Sequence, residues 1–185
     1  MALASGCGGL PEEQSSGLYP ITGPDAAFSC SPENQALCEW VSARVNAATG
    51  WNTTVQPGGI PVTFGVFETE ENCGEARVRV EPDSGYVVNA TSVRVTYPSP
   101  MGCGDYYRTL THELFHVACG MDDCHVTSEP SLMSAVANPS VRISSGMLDV
   151  VCARWGCPSP HPERSLVYPY PPTPPVRDWG ASAHP

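Results

Sequence analysis

The run Thr111-His112-Glu113-Leu114-Phe115-His116 sets two imidazoles four residues apart, with a carboxylate directly after the first. On a helix, residues i and i+4 stand one above the other, so both rings can reach a single divalent cation. Neutral imidazole nitrogen suits zinc. Glu113 is rotated from the pair by one residue and is free to take a proton from a water that the ion holds. The chemistry that such a set can do is metal-assisted hydrolysis. Spare imidazoles are few: outside this run only His125, His161 and His184 remain.

A helix must carry the pair, and the pattern around it supplies one. Leu110, Leu114, Val117 and Ala118 form an apolar stripe, Asp105 is placed to cap the start, and Gly120 to stop the end. This predicts a helix over 105–119. Upstream, Leu37, Trp40, Val41 and Val45 make a second stripe, predicting a helix over 32–48. Ser31 is its expected cap, Pro32 and Glu33 lie in its first turn, and Gly50 follows it. Between the helices, Val62-Phe64-Val66, Val78-Val80 and Val93-Val95 alternate with polar residues, with a separate run at Tyr86-Val87-Val88. Period-two patterns of this kind describe a sheet with one solvated face. Met147, Leu148 and Val151 suggest a third helix over 144–155. The expected class is α+β, a small mixed sheet packed on the first helix and on the His112/His116 helix.

These features resemble the metzincin metalloproteases. In that superfamily the zinc helix ends at a Gly, the chain turns to supply a third ligand, and a tight turn containing Met lies beneath the ion. Gly120 and Ser131-Leu132-Met133-Ser134 are the matching residues, followed by the expected C-terminal helix. The resemblance covers roughly residues 30–157, and its specific part is residues 112–134. It implies a zinc-dependent endopeptidase acting on protein or peptide substrates, with Glu113 as general base, Met133 in the Met-turn, and an edge strand that an extended substrate can join. One departure concerns the third ligand, because Gly120 follows His116 by four residues where the family has three. Counting from the Gly leads to Asp123, as in snapalysin-type enzymes. Counting back from Met133 leads to His125, as in matrixin-like enzymes. His125 is preferred because imidazole is the commoner third ligand; Asp123 is the alternative, and Asp122 a weaker one. Ala135 stands where some metzincins carry a Tyr.

Composition bounds the rest. The chain has 185 residues and a formal charge of -10, and all nine basic residues are Arg. Without a basic cluster there is no electrostatic footprint for nucleic acid. Nine cysteines and no CxxC pair indicate a disulfide framework in an oxidising compartment. Cys7 follows Ala4-Ser5-Gly6 and resembles the lipid-modified Cys of a bacterial lipobox. Six preceding residues are too few for a whole export signal, so the chain is expected to begin inside a longer one. Setting Cys7 aside, proximity suggests Cys30–Cys38, Cys73–Cys103, Cys119–Cys124 and Cys152–Cys157. The expected organisation is a leader and flexible tether over 1–24, a protease domain over 25–157, and a Pro-rich, disordered tail over 158–185. The expected protein is an extracytoplasmic monomer, secreted or held at the membrane through a lipid on Cys7. The rival expectation is a disulfide-stabilised surface lipoprotein that binds zinc or a partner and cleaves nothing.

Overall fold

The computed structural model describes residues 17–65, 73–84, 86–97, 103, 105–119, 125, 132–133, 142–143, 151, 153–155 and 164–165. Cys7, Gly120, Asp122, Asp123, residues 144–150, the Cys119–Cys124 and Cys152–Cys157 bridges and most of the tail lie outside them.

The protein is α+β. Its strands are β1 (Tyr19–Pro20), β2 (Ala27–Cys30), β3 (Thr54–Val55), β4 (Ile60–Gly65), β5 (Gly74–Val80), β6 (Val87–Thr96), β7 (Arg142–Ile143) and β8 (Arg164–Ser165). Its helices are α1 (Gln35–Thr49) and α2 (Tyr106–Cys119). A helical segment at Val151 and 153–155 falls within the expected third helix. β1 to β6 form one six-stranded mixed sheet. β6 is its spine. On one side it pairs with β5, antiparallel; on the other it pairs with β4, parallel, and with β1, antiparallel. β2 lies parallel to both β4 and β3. Arg164–Ser165 lie within the tail expected to be disordered, yet they pair antiparallel with Arg142–Ile143, because backbone ladder bonds there do not depend on the Pro-rich composition around them.

The alternation in β4 is regular: Ile60, Val62 and Phe64 are all buried. β6 breaks the rule. Its buried apolar residues are Val87, Ala90, Val93 and Val95, spaced three, three and two. The register with β5 shows why: Thr91 and Val88 have no counterparts opposite, so each marks a bulge. An extra residue turns the following side chains to the other face. Tyr86-Val87-Val88 and Val93-Val95, expected as separate strands, are thereby joined in one ten-residue strand. β2 carries few strong strand formers and was not expected.

α1 starts at Gln35, three residues later than expected. Ser31 does not cap it. Its carbonyl accepts the Asn34 N–H (3.0 Å) and its hydroxyl accepts from Asn34 Nδ2 (3.3 Å), closing a turn before the helix. The Ser31 hydroxyl also bonds the Glu33 carboxylate, which helps hold that acid below its ordinary range after the larger effect of a backbone N–H. Gly50 ends the helix in the left-handed conformation (φ +77°), and its N–H reaches the Asn46 carbonyl at 2.8 Å. Leu37, Val41 and Val45 are buried along one stripe. From α2, Leu110, Leu114, Phe115, Val117 and Ala118 enter the same core. Phe115 packs on Trp51 with ring centres 5.2 Å apart. Burying a side chain of this size contributes about 2–3 kcal/mol.

Two disulfides clamp the helices to the sheet. Cys30–Cys38 joins the end of β2 to the first turn of α1, and Cys73–Cys103 joins the approach to β5 to the approach to α2. They point to an oxidising environment. No helix among the described residues is long and apolar enough to cross a membrane. Cys73–Cys103 closes a loop of 30 residues, for which chain entropy gives a stabilisation of about 3.5 kcal/mol. Replacing both cysteines with Ser is expected to lower the unfolding free energy by about 2–5 kcal/mol, measured by urea titration. A loss of under about 1 kcal/mol would show that β5 and α2 hold their places without the bridge.

Candidate metal centre

His112, His116 and His125 converge. Their ligand atoms all lie within 4.8 Å of one another, and the ring centres are 4.7 to 5.5 Å apart. His112 and His116 share a face of α2 one turn apart. Their Nε2 atoms stand 3.0 Å apart, close enough for both to hold one proton or one cation. His125 is brought in by the chain beyond α2, so no local rule places it.

The tautomer of His112 follows from its other nitrogen. Nδ1 lies 2.7 Å from the Leu132 carbonyl oxygen, which can only accept. Nδ1 therefore carries the proton, and Nε2 is left with a bare lone pair. The same carbonyl accepts from Arg108 Nη2 at 3.2 Å. Arg108 is one turn before His112 and only 4% exposed. Leu132 and Met133 are fully buried in the core, so the turn that presents this carbonyl is anchored by packing. Sequence reasoning singled out Met133 for the turn and missed the carbonyl one residue before it. It also missed Arg108, although a cation on the buried side of an amphipathic helix is a visible anomaly.

Burial sets the protonation of the site. His112 is pushed down to about 3, first by desolvation and then by His116, against the opposing bond to Leu132. It is neutral at any ordinary pH, the form that ligates metal. Glu113 is only 6% exposed. Desolvation pushes it up to about 8, with a smaller push from Glu75, against a bond from the Ala76 backbone. Its carboxyl group thus lies against β5.

Gly74 allows that approach. A Cβ there would come within 2.7 Å of Thr109 Cγ2 and 2.9 Å of both Glu113 Cγ and Oε1. Thr109 is β-branched and stiff, so it yields poorly. Any side chain at residue 74 would press α2 and its carboxylate away from the strand.

The three imidazoles suit a divalent ion by donor type and convergence, and His112 also by its protonation. His112→Ala is expected to abolish stoichiometric metal binding, and His125→Ala to weaken it by at least ten-fold. Metal analysis after dialysis against dilute zinc checks both. Full metal content in His125→Ala would remove His125 from the site.

The pKa shifts predict an unusual profile for the metal-free protein. His112 protonates near 6.5 when unfolded but near 3 when folded, so stability falls as pH drops through that window. Glu113 loses its proton near 4.5 when unfolded but near 8 when folded, so stability falls as pH rises from 4.5 to 8. The two slopes cancel between 4.5 and 6.5, where these groups give a plateau. Glu113→Gln should abolish the alkaline decline in urea titrations. An unchanged decline would show that another group causes it.

No protein-family model matches this sequence, and no curated protein is significantly similar to it. The chemistry assigned to the site rests on its own geometry.

Proposed function

We propose that the protein is an exported, zinc-dependent endopeptidase of metzincin-like fold. The observation that carries this reading is the conjunction of three converging imidazoles with one buried carboxyl group beside them on the same helix. Metal storage or structural zinc needs only the imidazoles. A carboxyl group held against β5 and raised towards neutrality is suited to moving a proton.

Within the reading, His112, His116 and His125 hold the ion. When bound, zinc polarises a carbonyl and lowers the pKa of a coordinated water towards about 7. A cation beside Glu113 also favours its ionised form, reversing the effect of burial. Glu113 then accepts a proton from water and returns it to the departing amine. The Leu132 carbonyl keeps the His112 ring in its ligating tautomer, and Arg108 helps hold that carbonyl.

β5 supports the substrate side of the proposal. Among the described residues it pairs only with β6, leaving its other edge to form a ladder with an extended chain. Its first residue lies against Glu113, so a peptide on that edge passes the site. The buried Leu132–Met133 turn next to His112 is the counterpart of the family's Met-turn. Export is supported by the disulfides, and anchoring through a lipid on Cys7 belongs to the same proposal.

Hydrolysis of casein by the oxidised protein, lost with a chelator and restored by zinc, is the expected result. Glu113→Gln should retain zinc and lose at least about 100-fold in kcat, the range of a general base. A zinc-loaded wild-type protein that leaves casein and denatured collagen intact would favour the non-catalytic lipoprotein instead.

A further inference from the structure

The side chains of β5 divide by parity. Ala76 is buried and Val78 packs against the core, on the side of α2. Glu75, Arg77 and Arg79 alternate with them and face the other way. Arg94 of β6 stands opposite Glu75. Glu75 is shared between Arg77 (3.0 Å) and Arg94 (3.6 Å). Arg79 is exposed and makes no ion pair among the described residues. Glu81 hydrogen-bonds Ser84 instead, at 2.8 Å. Among the described residues, Glu75 thus serves two guanidinium groups and Arg79 stands between it and Glu81 without an ion pair, in a chain whose formal charge is -10. Two exposed guanidinium groups at alternate positions, Arg77 and Arg79, therefore stand on the edge strand of an otherwise acidic protein.

A strand added to β5 places its side chains in register with those of β5. Residues opposite Arg77 and Arg79 share their face and are separated by one residue, which points to the α2 side. Strand geometry sets Arg77 about 10 Å and Arg79 about 17 Å from Gly74, the residue against Glu113. Antiparallel addition is the more stable mode. A peptide so added runs towards Gly74 in its N-to-C direction, so the residues opposite Arg79 and Arg77 precede the bond at the site.

We propose that Arg77 and Arg79 select substrates by charge, favouring extended peptides with two carboxylates spaced by one residue on the N-terminal side of the scissile bond. The inference rests on the endopeptidase reading and names the substrate class. Exposed charges on an edge strand can also serve only to block self-pairing, and the test separates the two roles.

The zinc-loaded full chain carrying Glu113→Gln, which spares the peptide, is titrated into labelled ten-residue peptides. One contains Glu-Ser-Glu and its partner Gln-Ser-Gln, and binding is read by fluorescence anisotropy. The acidic peptide is expected to bind about three- to ten-fold tighter at low salt, with the difference gone near about 0.5 M salt. Adding Arg77→Glu and Arg79→Glu should invert the preference towards Lys-Ser-Lys. Equal affinity for the acidic and neutral peptides overturns the inference, as does a double variant that dimerises with its peptide preference unchanged. Cleavage-site mapping with the wild-type protein should show Asp or Glu at two alternate positions before the cut, and enrichment after the cut overturns the proposed direction. A protein that cleaves casein yet binds both peptides alike refutes charge selection alone. One that selects the acidic peptide and cleaves nothing refutes the endopeptidase alone.

Discussion

The site depends on one hydrogen bond, from His112 Nδ1 to the Leu132 carbonyl. An imidazole offers a metal only the nitrogen that lacks a proton, and the partner of the other nitrogen decides which that is. The bond is only as firm as the turn that bears the carbonyl. That turn is held by the burial of Leu132 and Met133 in the core, and by Arg108 reaching the same oxygen. Hydrophobic packing is thereby converted into the protonation pattern of a ligand. The chain of cause runs from core to turn, from turn to carbonyl, and from carbonyl to lone pair.

The sheet performs a second conversion. β6 must pair with β5 along its length while meeting β4 and β1 on its other side. Its two bulges keep Val87, Ala90, Val93 and Val95 on the core side despite their uneven spacing. This seats β5 over α2, where Gly74 lets Glu113 approach the strand. The Cys73–Cys103 bridge ties the approaches of the two elements together. At the far end of α2, the Ala118 carbonyl accepts from Trp155 Nε1 at 2.8 Å, and Arg154 stacks over Trp155 at 4.0 Å while bonding the Val87 carbonyl. The helix bearing the histidines is therefore held at both ends.

Burial drives the acid and the bases of the site to the same electrical state. His112 loses its affinity for a proton and Glu113 gains one, so both are neutral near neutral pH. A neutral imidazole with a bare lone pair is the form in which His112 can ligate a cation.

How far the sequence went follows the range of the forces involved. The spacing of His112 and His116 is a property of one helical turn, and the stripe of Leu110, Leu114 and Val117 showed which side that helix buries. The α+β class, the helix stop at Gly50 and the Cys30–Cys38 pair were legible for similar reasons, since periodicity, turn chemistry and short loops are local; Cys73–Cys103 spans 30 residues and followed from pairing neighbouring cysteines in order. Other features arise between distant segments. The sequence left His125 and Asp123 as competing ligands, because the path of the chain after α2 is set by packing; the structure brings His125 to the pair, and Asp123 lies outside the described residues. The Leu132 carbonyl was invisible because every residue has one, and only the fold aims it. The union of two short strands into β6 was hidden because a bulge is defined by the partner strand. Local chemistry named the two helical imidazoles and the neighbouring carboxylate; tertiary structure decided which third imidazole joins them, the tautomer and the strand against which the carboxylate rests.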